Sequence, residues 1–272
     1  MEFTRQILAD LILEKLIANK DSLKKEFNVH GRINSCFIDD LLPVEIATKI
    51  FQAFPSKDEM AIHKSLRENK RIAAQMNLYN PLLEEAVFAF QDERIVQIAE
   101  EITGLKQMQP DEKLYAGGIS LMAEGNFLNP HLDNSHDNDR ENYRVLNLLY
   151  YVTPNWDIEN GGNLELWDHG MSKPQRTIHA KFNRLALMIT NKSSIHSVSK
   201  VMVDGQRCCV SNYYFSPKPA EESAYFHVTS FYGRPDEPIK NIFLRTDAYL
   251  RQLVRKITGK RIVETKHIYK KD

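Results

Sequence analysis

Apolar positions recur at helical spacing through the first part of the chain and again near its end, whereas between about Ala116 and Phe215 the period shortens to two residues. The stretch from about Phe3 to Ala18 carries Ile7, Leu11 and Ile17 among its apolar positions. It predicts an amphipathic helix ending before the charged residues Lys20 to Glu26. Cys36-Phe37-Ile38 followed by Asp39-Asp40 reads as a short strand entering a loop, and Pro43 suits the first turn of a helix through Phe51 that Pro55 closes. Asn80-Pro81 opens one long helical pattern in which Leu83, Val87, Phe90, Ile95, Ile98 and Ile102 face a core, with Gly104 at a C-cap position. From Ala116, about eight short β-rich runs alternate with Gly, Asn, Asp and Pro clusters, the pattern of a double-sheet jelly roll or related sandwich. Beyond Pro217, Asn241 to Ile257 reads as a helix with Leu244, Leu250 and Val254 turned inward.

The fold class expected is therefore mainly β with α. A β core over residues 116–216 would carry helical support from 1–110 and a helical extension over 217–272. The 272 residues, 42% of them hydrophobic, suffice for one sizeable core, so a single domain over 1–272 is expected. The 36 basic and 36 acidic side chains cancel, which removes any global attraction to nucleic acid or to an anionic membrane. The stretch Arg251 to Lys271 is mostly basic but has no interleaved aromatics, so it reads as a solvated tail. A small-molecule or peptide partner is expected instead, with no nucleic acid. No signal-peptide pattern and no apolar run of ~20 residues is visible, which predicts no membrane insertion. Cys208 and Cys209 are adjacent and Cys36 is remote, so no disulfide framework is indicated and a reducing, cytoplasmic setting fits.

The candidate chemistry begins at His131-Leu132-Asp133. Side chains at i and i+2 of an extended strand point to the same side, so this spacing aims an imidazole and a carboxylate at one point. Taken alone the pair also fits a surface loop. A third ligand would come from another strand, and the β-rich Ser194-Ile195-His196-Ser197-Val198 supplies His196. Two histidines and one carboxylate leave coordination positions open, the arrangement of non-haem iron(II) centres. Eleven positions on, Arg207 opens the strand running to Phe215, where Arg207, Cys209, Ser211 and Tyr213 share a face. An arginine in an apolar strand needs an anion, either an internal carboxylate or a bound dicarboxylate that meets its planar fork. Tyr151, in phase with Leu149 and Asn147 on the strand from Val145 to Val152, could offer a second donor to that carboxylate or simply pack with its hydroxyl wet.

In order, these elements are His131-x-Asp133, the Leu148-Leu149-Tyr150-Tyr151 strand, Gly161-Gly162-Asn163-Leu164-Glu165-Leu166-Trp167, His196-x-Val198, and Arg207 leading into Tyr213-Tyr214-Phe215. The sequence from about Leu121 to Phe215 resembles the prolyl 4-hydroxylase type of iron(II)- and 2-oxoglutarate-dependent oxygenase. The resemblance implies a double-stranded β-helix (jelly roll) with helices packed on one sheet. It implies iron(II) on His131, Asp133 and His196, and 2-oxoglutarate held through its tail carboxylate by Arg207 and Tyr151. Leu149, Leu164 and Val198 would line the pocket, with Ser211 beside the co-substrate, and the paired glycines would turn tightly into a strand closing one side. The activity implied is hydroxylation with O2, giving succinate and CO2, with ascorbate a candidate reductant. Two other classes stay open at this point: a cupin-like metal hydrolase or isomerase in which Arg207 holds the substrate, and a non-catalytic protein that binds 2-oxoglutarate.

Other polar residues read as structural. His136, Asp137 and Asp139 suit a solvated loop, and His169, His179 and His227 have no partner at a telling spacing. Arg144 and Asn147 fit a rim salt bridge or a capped strand end, Trp167 fits packing, and nothing marks Cys208 or Cys209 as a nucleophile.

Overall fold

The computed structural model describes residues 3–258 and Tyr269. Helices α1 (Arg5–Ala18) and α2 (Lys20–Phe27) meet at Asn19, and the chain then enters β1 (Ser35–Ile38) and α3 (Val44–Gln52). A hairpin of β2 (Ile62–Lys64) and β3 (Glu68–Ala73) precedes α4 (Pro81–Ala89) and α5 (Glu93–Thr103). The β-rich half runs through β4 (Gln109–Pro110), β5 (Gly118–Ala123), β6 (Phe127–Leu132), β7 (Tyr143–Tyr151), β8 (Leu164–Leu166), β9 (Asp168–Met171), β10 (Arg176–Ile178), β11 (Arg184–Ile189), β12 (His196–Val198), β13 (Gln206–Ser216) and β14 (Ser230–Phe231). The long helix α6 (Pro238–Thr258) follows.

Thirteen of the described strands join one antiparallel sheet whose main path is β1-β11-β7-β13-β5-β3-β6-β12-β8-β10. The sheet curls on itself as a jelly roll. One wall is β1-β11-β7-β13-β5, the other is β6-β12-β8-β10, and β3 bridges them by pairing with β5 through Arg71–Ala73 and with β6 through Glu68 and Asn69. The outer face of the first wall takes the helices: Asn212 donates to the Val87 carbonyl (3.1 Å), Tyr214 bonds the Phe90 carbonyl, and the Phe90 and Tyr150 rings lie 6.0 Å apart. Both faces of β7 and β13 are thereby covered, which accounts for their nearly unbroken apolar runs.

Four expectations change. In α1 the buried face is Leu8, Ile12 and Leu16, while Ile17 is exposed, because apolar residues surround this helix and its neighbours choose the face. The long pattern from Asn80 is two helices, since Asp92 caps a new start on the Arg94 amide (2.9 Å); Gly104, at φ 79°, does end the second. The charged stretch after Ala18 is itself helical, with Leu23 and Phe27 buried. In α6 Leu244 is buried but Leu250 is 53% exposed; the Val254 side chain, and the basic tail after residue 258 apart from Tyr269, lie outside the described residues.

The paired glycines make the tight turn into β8. Gly161 and Gly162 have φ of 77° and 68°, and a Cβ on Gly161 would lie 1.9 Å from the Lys200 carbonyl oxygen. Gly161→Ala is therefore expected to destabilise the protein by about 2 kcal/mol or more, combining left-handed strain with a backbone clash, as read from its urea midpoint.

Candidate functional site

Between the two walls lies a cavity of about 630 Å³. Strand register decides what it contains. In the β6–β12 ladder His131 pairs directly with His196, and their rings stand 4.2 Å apart. Asp133 follows the last residue of β6, and its two carboxylate oxygens lie 3.6 Å from His131 Nε2 and 3.7 Å from His196 Nε2. The three ligand atoms fall within 4.8 Å of one another, and this is the only such convergence of His, Cys, Asp or Glu side chains among the described residues.

The tautomer of each imidazole is fixed. His131 Nδ1 lies 2.9 Å from the Asn129 carbonyl and His196 Nδ1 lies 3.0 Å from the Ser194 carbonyl. A carbonyl only accepts, so each Nδ1 carries a hydrogen and each Nε2 is the ring nitrogen turned into the site. Burial, reinforced by the neighbouring His131, lowers the His196 pKa to about 4, against the opposing pull of Asp133, so it stands neutral at physiological pH. Burial would raise the Asp133 carboxyl, but Arg144 first and the two histidines next outweigh it and hold the group well below the usual carboxylate range. Two imidazoles and one carboxylate, with Nε2 atoms and a carboxylate edge converging from one side, fit a divalent iron better than a soft thiophilic metal.

Sequence reasoning placed Arg144 and Asn147 at the rim, and the structure puts both beside Asp133. Arg144 is buried, its Nη1 3.2 Å from Asp133 Oδ1 and its guanidinium 4.7 Å over the Tyr213 ring. Asn147 donates from Nδ2 to Asp133 Oδ2 (3.0 Å) and is itself held by the Thr190 hydroxyl (2.9 Å). Each carboxylate oxygen thus has its own fixed donor. Removing one with Asn147→Ala is expected to weaken divalent-metal binding about 10- to 100-fold, measured by Co(II) titration. Phe231 of β14 was not foreseen: it stacks on His131 with centroids 5.1 Å apart and closes one side of the site.

The opposite wall brings the remaining predicted residues to the same cavity. Cys209 pairs with Tyr151, Ser211 with Leu149 and Tyr213 with Asn147 across β13 and β7, and Leu164 and Val198 face them from β8 and β12. Arg207 is 4% exposed, and among the described residues no carboxylate pairs with it. Its Nη2 meets the Met122 sulfur (2.6 Å), its Nε has no partner, and the Tyr151 ring lies 5.5 Å from its guanidinium. The internal ion pair considered for this arginine is absent among the described residues, so a buried cation faces a cavity without its counter-charge. His136, Asp137 and Asp139 are not part of the site: the Asp137 carboxylate caps the amides of Glu141 and Asn142 at 3.0 and 3.1 Å.

Residues 117–215 match the family model described as the 2OG-Fe(II) oxygenase superfamily. Over 96 residues the chain is 29% identical to prolyl 3-hydroxylase OGFOD1 of Mus musculus, an alignment covering 34% of this chain and 17% of that protein. Among solved structures, a prolyl 4-hydroxylase of Phytophthora capsici superposes with TM-score 0.56 at 16% identity, covering 95% of this chain and 80% of that one. A Pseudomonas putida prolyl-4-hydroxylase gives 0.54 at 13% identity, covering 71% and 98%. The epimerase SnoN from nogalamycin biosynthesis also gives 0.54 at 13% identity, covering 94% and 97%. At these identities the superpositions establish the jelly-roll fold, which houses more than one outcome.

Proposed function

We propose that the chain, whose residues 117–215 match the model of the 2OG-Fe(II) oxygenase superfamily, is a 2-oxoglutarate-dependent dioxygenase that hydroxylates a small-molecule or peptide substrate in the cavity between the two sheet walls. His131, Asp133 and His196 would hold iron(II), and Arg207 would take the tail carboxylate of 2-oxoglutarate through its planar fork. The observation that carries this reading is the buried guanidinium of Arg207, without a carboxylate partner among the described residues, in the same cavity as the two-histidine, one-carboxylate cluster.

The bound metal and co-substrate would supply activation of O2, with succinate and CO2 as co-products and ascorbate as a reductant of the resting metal. The protein's own side chains do the rest. Arg144 and Asn147 keep the Asp133 carboxylate ionised and aimed, and the Asn129 and Ser194 carbonyls keep both histidines in the metal-binding tautomer. Burial keeps the Tyr151 phenol protonated, so it would act as a donor to the anion that Arg207 receives, with Ser211 beside it. Leu149, Leu164 and Val198 line this inner part and exclude water from it. The mouth is polar, carrying His63, Arg67, Glu68 and Lys70 of the β2–β3 hairpin, and it is there that substrate would enter. No helix of the described residues is long and apolar enough to cross a membrane, and a cytoplasmic setting belongs to this same reading.

The test is an assay for succinate from 2-oxoglutarate in the presence of Fe(II) and O2, with slow turnover expected even without added substrate. Succinate formation that needs both iron and Arg207 supports the reading. Metal-dependent hydrolysis that proceeds without 2-oxoglutarate would replace it by the hydrolase alternative.

A further inference from the structure

A buried arginine normally stands against a carboxylate, which fixes its rotamer and cancels its charge. Arg207 is surrounded by neutral groups instead. In the β5–β13 ladder it lies directly opposite Met122, and its Nη2 reaches the Met122 sulfur. Met122 is itself buried and lines the same cavity. The stem of Arg207 runs against the backbone of Gly162, where an added Cβ would lie 3.2 Å from Arg207 Cγ and 3.4 Å from its Cβ. Burial keeps the nearby Cys209 thiol and Tyr151 phenol protonated, and so uncharged.

We propose that Met122 is a positioning residue for the co-substrate, its sulfur aiming the Arg207 guanidinium into the cavity while leaving the positive charge uncompensated. The inference rests on the reading that Arg207 receives the tail carboxylate of 2-oxoglutarate. A guanidinium carries five N–H donors and no acceptor, so one neutral acceptor restrains it and leaves the other donors to a ligand. A thioether is such an acceptor: weak, polarisable and without proton or charge. A carboxylate in the same place would form an internal ion pair, and the arginine would no longer attract an anion. An aliphatic side chain would fill the space without aiming the fork. The ligand would then have to order the guanidinium on binding, which weakens affinity.

The experiment is isothermal titration calorimetry of the Co(II)-loaded protein with 2-oxoglutarate, in the wild type, Met122→Leu, Met122→Gln and Met122→Glu. Co(II) affinity and the melting temperature of the apo-protein are measured beside it. Met122→Leu keeps the volume and removes the acceptor, so 2-oxoglutarate binding should weaken about 3- to 10-fold, the effect of one hydrogen bond. Met122→Gln restores a neutral acceptor on a side chain of similar length and should bind within about 2-fold of the wild type. Co(II) affinity should be held in both. Met122→Glu should weaken 2-oxoglutarate binding about 100-fold or more, with an apo-protein that melts no lower than the wild type because the new carboxylate pairs with Arg207. If this variant does not fold, the contrast between leucine and glutamine decides alone.

A role in packing only predicts the reverse order for those two, with leucine equal to methionine and glutamine weaker. That order, or a glutamate variant that folds and binds 2-oxoglutarate as tightly as the wild type, would overturn the assignment of Met122 and leave the co-substrate reading standing. A wild type that binds Co(II) but no 2-oxoglutarate would overturn that reading itself, and the proposal with it.

Discussion

Replacing Arg207 by alanine is expected to weaken 2-oxoglutarate binding about 30- to 1000-fold while leaving Co(II) binding at the histidine–aspartate cluster within a few-fold of the wild type. Arg207 is buried opposite the wall that carries His131 and His196, has no carboxylate partner among the described residues, and touches none of the three candidate ligands. Its removal would therefore take positive charge from that end of the cavity alone. The same geometry fixes the sign of an accompanying effect. Because the ligand-free guanidinium already lacks a counter-charge, Arg207→Ala should not lower the stability of the apo-protein, and added 2-oxoglutarate should raise the melting temperature of the wild type only. Arg207→Lys keeps the charge but loses the bidentate fork, so its affinity should fall between the two. An apo-protein destabilised by several kcal/mol in Arg207→Ala would instead reveal an internal ion pair.

Asp133→Ala should behave in the opposite way, losing both metal and stability. The carboxylate is the shared partner of Arg144 and Asn147, and Arg144 is itself buried over the Tyr213 ring. Truncating it strands the guanidinium, a change that costs about 3–5 kcal/mol in buried pairs. Metal binding should fall by three orders of magnitude or more, since one of three ligands and the only negative charge among them are gone. His131→Ala is the control: it removes a ligand with no buried ion pair to break, so it should abolish metal binding at much smaller cost to the urea midpoint of the apo-protein. Equal destabilisation by the two substitutions would mean that the Arg144–Asp133 contact contributes little to folding.

The contrast between these residues also shows what the chain discloses before it folds. His131, Asp133, His196 and Arg207 were legible because each follows strand periodicity: i and i+2 on one side at Asp133, a direct cross-strand pair for the histidines, and an inward phase for Arg207. Asn147 had the right phase, two and four residues before Leu149 and Tyr151, yet nothing local marked Asp133 as its partner. Arg144 had the wrong phase, an odd number of residues from Asn147. It reaches the cavity because the β7–β13 register slips between Tyr214 and Phe215: Leu146 pairs with Tyr214 and Arg144 with Phe215, which leaves Val145 as an extra residue. Such a bulge re-aims a side chain and leaves no mark in the alternation of apolar residues.

The jelly roll was readable from the change of period near Ala116, but the β2–β3 hairpin was not. Its residues are mostly polar and half exposed, and they become strands through backbone pairing with β5 and β6 rather than through any pattern of their own. Helix α6 was placed correctly, but of the positions expected to turn inward Leu244 is buried and Leu250 is exposed. Periodicity reveals that a face must be covered; it does not say by what.

On the proposed reading, the two walls of one cavity hold iron(II) and 2-oxoglutarate together. Its most direct test is anaerobic titration of the apo-protein with Fe(II) and 2-oxoglutarate, watching for the weak visible metal-to-ligand charge-transfer band that appears when the keto acid chelates the metal. The band should develop in the wild type at one equivalent of each, be lost in His131→Ala, and require far higher 2-oxoglutarate in Arg207→Ala. A wild type that binds Fe(II) but never develops the band would contradict the account and leave Arg207 to a different anion.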